Sequence, residues 1–527
     1  MKIYGFYAGS HDPTIAYIED GKIISVIQEE RVKRIKSADD FPQNPHLSKI
    51  IIERETGVRM IDSDFIACAT PVGYDFILKD NLPKIGVRTF DHHECHAKGA
   101  YFTSGFKGKS ITFTYDGGGD DSIGSIWLCE DGNMELIKTL SIGKSSSLGQ
   151  LWMSSTEALG WKMLKDEGKV MGMAGNGKFN QRIYNLLKSV CYYSGEGTLD
   201  FSPVGSKSKT YQILDQLKSE GWFIGNEKRY EFAYNLQKLT EDIMLDFVND
   251  LIKIYPEWSK KISFAGGLFA NVKMNQKINE IDHIEEIWVF PPMGDEGLAL
   301  GSAIALANQL GDWDLPKKLD NVFFGLRYSN EQIEEASKSW DFHSIDFHVD
   351  TVADLLIEGK IGAFFNGRFE YGPRSLGARS IIVKATDRKT HDLLNERLER
   401  HEVMPFAPVV LKDKAEDIFH NANKSSYAAE FMTCCYSVKD EWIERIPACI
   451  HTVDNTGRPQ FANPETNSDW YNLVFAYYKK TGIPIILNTS FNGHGEPIID
   501  NPEQAFKHLE KGTVDFLIME QKIYFKK

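Results

Sequence analysis

Phe90-Asp91-His92-His93-Glu94-Cys95-His96-Ala97-Lys98-Gly99-Ala100-Tyr101 is the stretch on which the reading of this chain turns. Wound as a helix, it places His92 and His96 one turn apart on one face, where two imidazoles can share a cation. The strand Ser110-Ile111-Thr112-Phe113-Thr114-Tyr115 follows and is predicted to deliver Asp116 into a glycine turn, Gly117-Gly118-Gly119-Asp120-Asp121. Two histidines and a carboxylate at a strand end leave coordination positions open, which suits a reactive metal better than a purely structural one. A metalloprotease helix is excluded by spacing, because His93-Glu94 would need a histidine where Ala97 stands. A helix whose histidines only hydrogen-bond is the plain alternative.

Working outward, Asp295 sits between the strand Ile287-Trp288-Val289-Phe290 and a helix of small residues. It is placed either to be a fourth metal ligand or to cap that helix. The strand Ile262-Ser263-Phe264-Ala265 runs into Gly266-Gly267 and opens a helix near Asn271, a turn whose bare amides could face a nucleotide. Leu164 to Gly175 reads as a glycine-punctuated loop carrying Lys165, able to approach phosphates closely. Phe232, Leu236, Leu239, Ile243, Phe247 and Leu251 recur at helical spacing and predict a core-facing helix. Toward the start, Lys2 to Ala8 is a first strand. Gly9-Ser10-His11-Asp12-Pro13 is then a loop, and strands follow on both sides of the Glu19–Lys22 hairpin turn. Glu29-Glu30-Arg31-Val32-Lys33-Arg34 reads as a solvated turn or as the end of a third strand.

Gly311 to Lys318 breaks the pattern, so the expected domains are 1–315 and 316–527. Beyond it, Asn366 to Ser380 gathers Arg368, Arg374 and Arg379 among glycines, an arrangement suited to an oxyanion. His451 to Gln460 is a polar turn with His451 and Arg458. The strand Ile483–Leu487 ends in Asn488-Thr489-Ser490-Phe491-Asn492, where Asn488 and Ser490 supply neutral polar groups. No internal repeat is visible.

At 527 residues the chain has room for two or three domains, and its 42% hydrophobic and 25% charged residues are ordinary for a globular protein. A net charge of −14 excludes a global basic field for nucleic acid. The start shows no signal-peptide pattern and no apolar run reaches membrane-spanning length. Seven scattered cysteines form no disulfide framework. A reduced, cytoplasmic setting is the expectation, with no membrane partner.

Taken in order, the motifs resemble those of the O-carbamoyltransferases of the nodulation and antibiotic-tailoring type, such as the tobramycin and cephem carbamoyltransferases. The marks are Ser10-His11-Asp12, Glu29-Glu30-Arg31, His92 and His96, Asp116-Gly117-Gly118, Gly172-Met173-Ala174, Gly266-Gly267 and Asp295-Glu296-Gly297. The most specific are Gly372-Pro373-Arg374-Ser375-Leu376-Gly377-Ala378-Arg379-Ser380 and Asn488-Thr489-Ser490-Phe491-Asn492. The resemblance implies an α/β protein with an actin-like (duplicated RNase H-like) N-terminal domain. An α+β C-terminal domain similar to threonylcarbamoyl-adenylate synthases would follow.

By the same resemblance, His92, His96, Asp116 and Asp295 match metal-ligand positions, with iron in some members. Gly117, Gly118, Gly266, Gly267, Asn271 and Lys165 fall to the nucleotide. Arg374, Arg379, Arg400, Arg458, Asn488 and Ser490 fall to carbamoyl phosphate. His11, Asp12 and His451 are catalytic candidates for holding the acceptor hydroxyl and taking its proton. ATP, with Mg2+, would convert carbamate to carbamoyl-adenylate, and the activated group would pass to an acceptor hydroxyl. Of the family pattern Lys-x-Arg-Glu, two residues, Arg-Pro-Phe-Ala-Pro, Arg400 survives, while Leu398, His401 and Met404 stand at its other three charged positions.

A small hydroxylated metabolite is the first expectation for the acceptor. Hydroxymethyl-pyrimidine in DNA, gripped by Lys33, Arg34, Lys36, Lys162 and Lys165, is the second. A threonylcarbamoyl-type tRNA transferase, a sugar kinase and a non-enzymatic nucleotide-binding scaffold are the competing readings.

Overall fold

The computed structural model describes residues 1–39, 44–70, 76–77, 82, 86–141, 147–195, 197, 199, 201–202, 207–399 and 406–527. Arg400, His401 and Met404 lie outside them. Packing divides the chain into two units, one of residues 1–22, 41–45 and 58–319, the other of 23–40, 46–57 and 320–527. The second unit thus draws on two early segments as well as on everything from Asp320 onward.

In the first unit, β1 (Lys2–Tyr7) pairs antiparallel with β2 (Thr14–Glu19) and parallel with β3 (Phe65–Ala69). β3 in turn pairs parallel with β4 (Arg88–Phe90). The same order and sense recur further on. β5 (Ser110–Gly119) is antiparallel to β6 (Ser122–Glu130) and parallel to β8 (Lys261–Ala265), which is parallel to β9 (Glu286–Val289). β7 (Asn133–Ser141) extends the second sheet beyond β6. This duplicated sheet is the actin-like arrangement.

The last strand of each repeat leads into a helix, α1 (His92–Ser104) after β4 and α4 (Leu298–Gln309) after β9. Asp91 starts α1 by accepting the Glu94 amide on its side chain at 3.0 Å. α4 is small and apolar and is buried almost from end to end. The two helices pack on each other at Gly301, where an added Cβ would stand 2.1 Å from the Cys95 carbonyl oxygen. Only a residue without a side chain allows that approach.

Three readings change. Asp116 is not at the start of a turn: the strand runs on to Gly119, with a shift in register between Tyr115 and Gly119. Asp116 therefore sits on a bulge, which re-aims a side chain without ending the ribbon. Residues 164–175 are not a loop but are helical over Glu167–Ala174. Val170, Met173 and Ala174 are buried there, and the segment packs on the long helix Asn226–Ile254, a tertiary gain that overrides its glycines. Glu29–Lys33 is a helix rather than a solvated turn, and Glu29 and Arg31 are buried. Glu29 accepts from the Ser48 amide and hydroxyl at 2.9 and 2.7 Å, and Arg31 donates to the Gly372 carbonyl.

In the second unit the strands β10 (Phe342–Asp346), β11 (Gly362–Phe365), β12 (Arg379–Lys384), β13 (Ala407–Leu411), β14 (Gln460–Ala462), β15 (Ile485–Ser490), β16 (Phe516–Met519) and β17 (Lys522–Lys526) form one mixed sheet. Its order is β10-β17-β16-β11-β12-β15-β13-β14. Helices Val349–Ile357 and Ser468–Thr481 close a core of Leu356, Phe364, Trp470, Leu473 and Ile486. Among the described residues no helix is long and apolar enough to cross a membrane.

Gly301→Ala should force α1 and α4 apart. A destabilisation of about 1–3 kcal/mol is expected for such overpacking, read as a lower urea midpoint. An unchanged midpoint would mean that the helices are not in backbone contact.

Candidate functional site

The first unit brings four ligand atoms together, one each from His92, His96, Asp116 and Asp295, all within 4.8 Å of one another. His92 Nε2 lies 3.0 Å and His96 Nε2 3.3 Å from Asp116 Oδ2. The same nitrogens lie 3.6 and 3.7 Å from Asp295 Oδ1. Asp116 is held on its far side, where Oδ1 accepts the Gly118 amide at 2.7 Å. Asp295 caps no helix, so its alternative role is gone.

The donor set fits a divalent cation. Among the described residues the buried His96 Nε2 has no hydrogen-bond partner, although a carboxylate oxygen is close by. Two carboxylates share one buried space, where only positive charge makes them compatible. Two imidazoles and two carboxylates suit a first-row transition ion.

Electrostatics follow from that crowding. Burial opposes charge on Asp116, yet His93 and His92 outweigh it and hold the carboxyl well below the usual range. Asp295 is depressed likewise, with His92 and His11 overcoming burial. Burial disfavours protonated His92, but Asp295 and Asp116 lift it to about 9. His93, which no sequence signal set apart from its neighbours, is pushed by burial down to about 4 and bonds Thr114 Oγ1 at 3.0 Å.

Beside this cluster, His11 Nδ1 meets Asp12 Oδ2 at 2.8 Å and His11 Nε2 faces Asp295 Oδ2 at 3.7 Å. Burial works against His11 protonation, but Asp295 and Asp12 raise it to about 10. Asp12 adopts a left-handed backbone (φ 53°), a strained state of the kind that gathers at working sites. Tyr7 and Glu296 complete the surroundings. Tyr7 donates to Asp295 Oδ2 at 2.7 Å, and burial with the nearby Asp12 charge pushes Glu296 up to about 8. Glu296 falls within the Asp295-Glu296-Gly297 mark, whereas Tyr7 carries no sequence signal, since a tyrosine ending a strand looks like any core tyrosine.

The expected nucleotide residues are partly committed within the unit. Gly118 holds Asp116, the Gly117 carbonyl accepts the Ser147 hydroxyl at 2.9 Å, and the Gly266 amide donates to Met293 O at 2.7 Å. Gly267 opens a short 3-10 turn. Asn271 caps the helix Val272–Asn279 and exchanges both amide bonds with Gln237, at 3.1 and 2.8 Å. Lys165 is half-buried ahead of the helix that replaces the loop. Of the cations assigned to DNA, Arg34 is spent on the Pro497 and Ile498 carbonyls at 2.8 and 2.6 Å.

The second unit holds the arginine loop. Arg379 is fully buried, donates to the carbonyls of Asn366, Gly367 and Ala378, and stacks 3.7 Å from the Phe365 ring. Its fork closes on backbone rather than opening to a ligand. The loop is shaped by Glu370, whose Oε1 accepts the Leu376, Ala378 and Arg379 amides at 2.8, 2.7 and 3.1 Å. Asn488 Nδ2 ties to Ser375 O at 2.9 Å, and its buried Oδ1 has no partner among the described residues. Among the described residues the buried Arg458 Nε has no hydrogen-bond partner, and burial lowers the pKa of this arginine. Arg374 lies in the loop Glu370 shapes, and Ser490 ends β15 opposite Ser380. His451 belongs to the polar turn, 3.4 Å from Asp454.

Fold and site together define a class: an actin-like unit with a buried two-histidine, two-aspartate centre, followed by an arginine-bearing α+β unit. Residues 69–304 match the carbamoyltransferase N-terminus and residues 353–526 the carbamoyltransferase C-terminus. An uncharacterised Methanocaldococcus jannaschii protein, MJ1051, is 30% identical over 97% of both chains. The nodulation protein NolNO of Sinorhizobium fredii is 28% identical over 97% of this chain and 78% of its own. NolO of Bradyrhizobium diazoefficiens is 30% identical over 81% of this chain and 77% of its own. The chain belongs to the carbamoyltransferase family and is a carbamoyltransferase enzyme.

In metal-free protein, His92 and His11 hold protons more tightly than a free imidazole of pKa ~6.5. Their contribution to stability is complete below about pH 6.5 and is lost as pH rises through about 9 and about 10. Urea midpoints of chelator-treated protein should therefore fall between pH 7 and pH 10. A flat profile would show both rings to be neutral throughout.

Proposed function

We propose that the enzyme is an ATP-dependent O-carbamoyltransferase. It takes the carbamoyl group of carbamoyl phosphate through carbamoyl-adenylate to a hydroxyl of a small polar metabolite. The observation that carries this reading is the convergence of His92, His96, Asp116 and Asp295 in a chain matching both halves of the family.

In the second unit, Arg374 and Arg458 bind the anionic oxygens of carbamoyl phosphate, and Asn488 and Ser490 add neutral contacts. Arg379 and Glu370 act by shaping the loop. Water cleaves carbamoyl phosphate to carbamate and phosphate, carbamate attacks the α-phosphorus of Mg2+-ATP to give carbamoyl-adenylate and pyrophosphate, and transfer to the acceptor hydroxyl releases AMP. In the first unit, a divalent ion held by His92, His96, Asp116 and Asp295 supplies Lewis acidity for the carbamoyl carbonyl and offsets the two carboxylates. Iron is the family's expectation, and the donor set equally suits manganese or zinc. Asp12 fixes the His11 ring through Nδ1, and His11 takes the acceptor's proton at Nε2 once a cation offsets the Asp295 charge that favours its protonated form.

Labelled carbamoyl phosphate and ATP, offered with a panel of hydroxyl acceptors that includes hydroxymethylated duplex DNA, test the reading. A labelled product with AMP supports it. Release of ADP would indicate a kinase, and nucleotide binding without turnover a scaffold. His92→Ala and His96→Ala should abolish product while leaving some carbamoyl-phosphate-dependent pyrophosphate release. Joint loss of both activities in folded protein would refute the two-site division.

Arg458→Ala should weaken use of carbamoyl phosphate by an amount equivalent to about 1.5–3 kcal/mol, the worth of a charge-assisted hydrogen bond, with little change in the urea midpoint. Arg379→Lys should instead lower that midpoint, because an ammonium cannot span three carbonyls. The opposite pattern would exchange the roles of the two arginines.

A further inference from the structure

We infer that Tyr7 is a positioning residue for the metal centre, its hydroxyl holding one oxygen of Asp295 so that only the other is presented to the cation. This rests on the metal reading above. Asp295 divides its two oxygens cleanly. Oδ1 faces the Nε2 atoms of His92 and His96, at 3.6 and 3.7 Å. Oδ2 accepts the Tyr7 hydroxyl at 2.7 Å and faces His11 Nε2 at 3.7 Å. A carboxylate whose second oxygen is engaged this way meets a cation through one atom, and its rotation about the terminal bond is blocked.

A separate feature of the chain serves the same contact. A Cβ on Gly9 would stand 2.1 Å from the Tyr7 phenolic oxygen and 2.3 Å from its Cζ. The first loop therefore folds back across the ring, and the absence of a side chain at Gly9 leaves the hydroxyl its path to Asp295. Tyr7 is buried and stands edge-on to His92, ring centroids 6.4 Å apart, so it has no second place to go. Hydrogen-bond partners of metal ligands commonly govern 10–100-fold in metal affinity.

The test uses full-length protein stripped with a chelator and titrated with Co2+ against a chromophoric competitor, with the visible spectrum recorded. Tyr7→Phe should bind Co2+ roughly 10–100-fold more weakly. Its ligand-field bands should shift as Asp295 brings its second oxygen to the ion. Gly9→Ala should do the same by displacing the ring, and the double variant should lose no more than either alone, since both remove one contact. If Tyr7→Phe does not fold, Gly9→Ala alone gives the same readout. Wild-type affinity and spectrum in the folded variants would overturn the role of Tyr7 and leave the metal reading standing. A wild-type protein that takes up no Co2+ would overturn both.

Discussion

Asp116 and Asp295 are two carboxylates buried against the same pair of imidazoles, and much of the first unit can be understood as the scaffold that keeps them there. Left without positive charge, such a pair would take up a proton or move apart. Here the two histidines lie against both carboxylates and make the approach favourable. The surrounding hydrogen bonds from Gly118 and Tyr7 then fix which oxygen of each carboxylate faces inward.

The duplication of the sheet explains how four distant positions meet. β1 and β5 are equivalent first strands, β1 ending in Tyr7 and β5 carrying Asp116 at its bulge. α1 and α4 follow equivalent last strands, and their starts carry His92 with His96 and, just upstream, Asp295. Each repeat thus contributes one residue of its first strand and one helix start. The close contact at Gly301 brings the two helix starts within coordinating reach.

The second unit uses charge differently. Its arginine-rich loop is ordered from inside, by a buried glutamate accepting three amides and a buried guanidinium donating to three carbonyls. Such internal saturation spares ligand groups from having to order the loop. Arg379 holds that shape through its two terminal nitrogens, and its buried Nε, like that of Arg458, has no partner among the described residues.

Sequence alone carried the elements with strong local signals: the histidine helix with its i, i+4 pair, the apolar strands, the long helix near 229–255 and the order of motifs that marks the family. Those features depend on neighbours along the chain, and residue type and spacing suffice to read them. The repeat in the first unit was legible only through the family resemblance and not as repeated residues, because the two copies share strand order and direction rather than residues. Nor could spacing tell that Asp116 rides on a bulge, that Gly168 and Gly172 lie in a helix, or that Glu29 and Arg31 are buried. In each case the outcome was set by packing against segments remote in the chain. Tertiary structure alone decided that Asp295 faces the histidines instead of capping a helix, that Tyr7 reaches it past Gly9, and that Arg379 is spent on backbone. Hydrogen-bond partners hundreds of residues apart in sequence are chosen by the folded geometry, which no local pattern encodes.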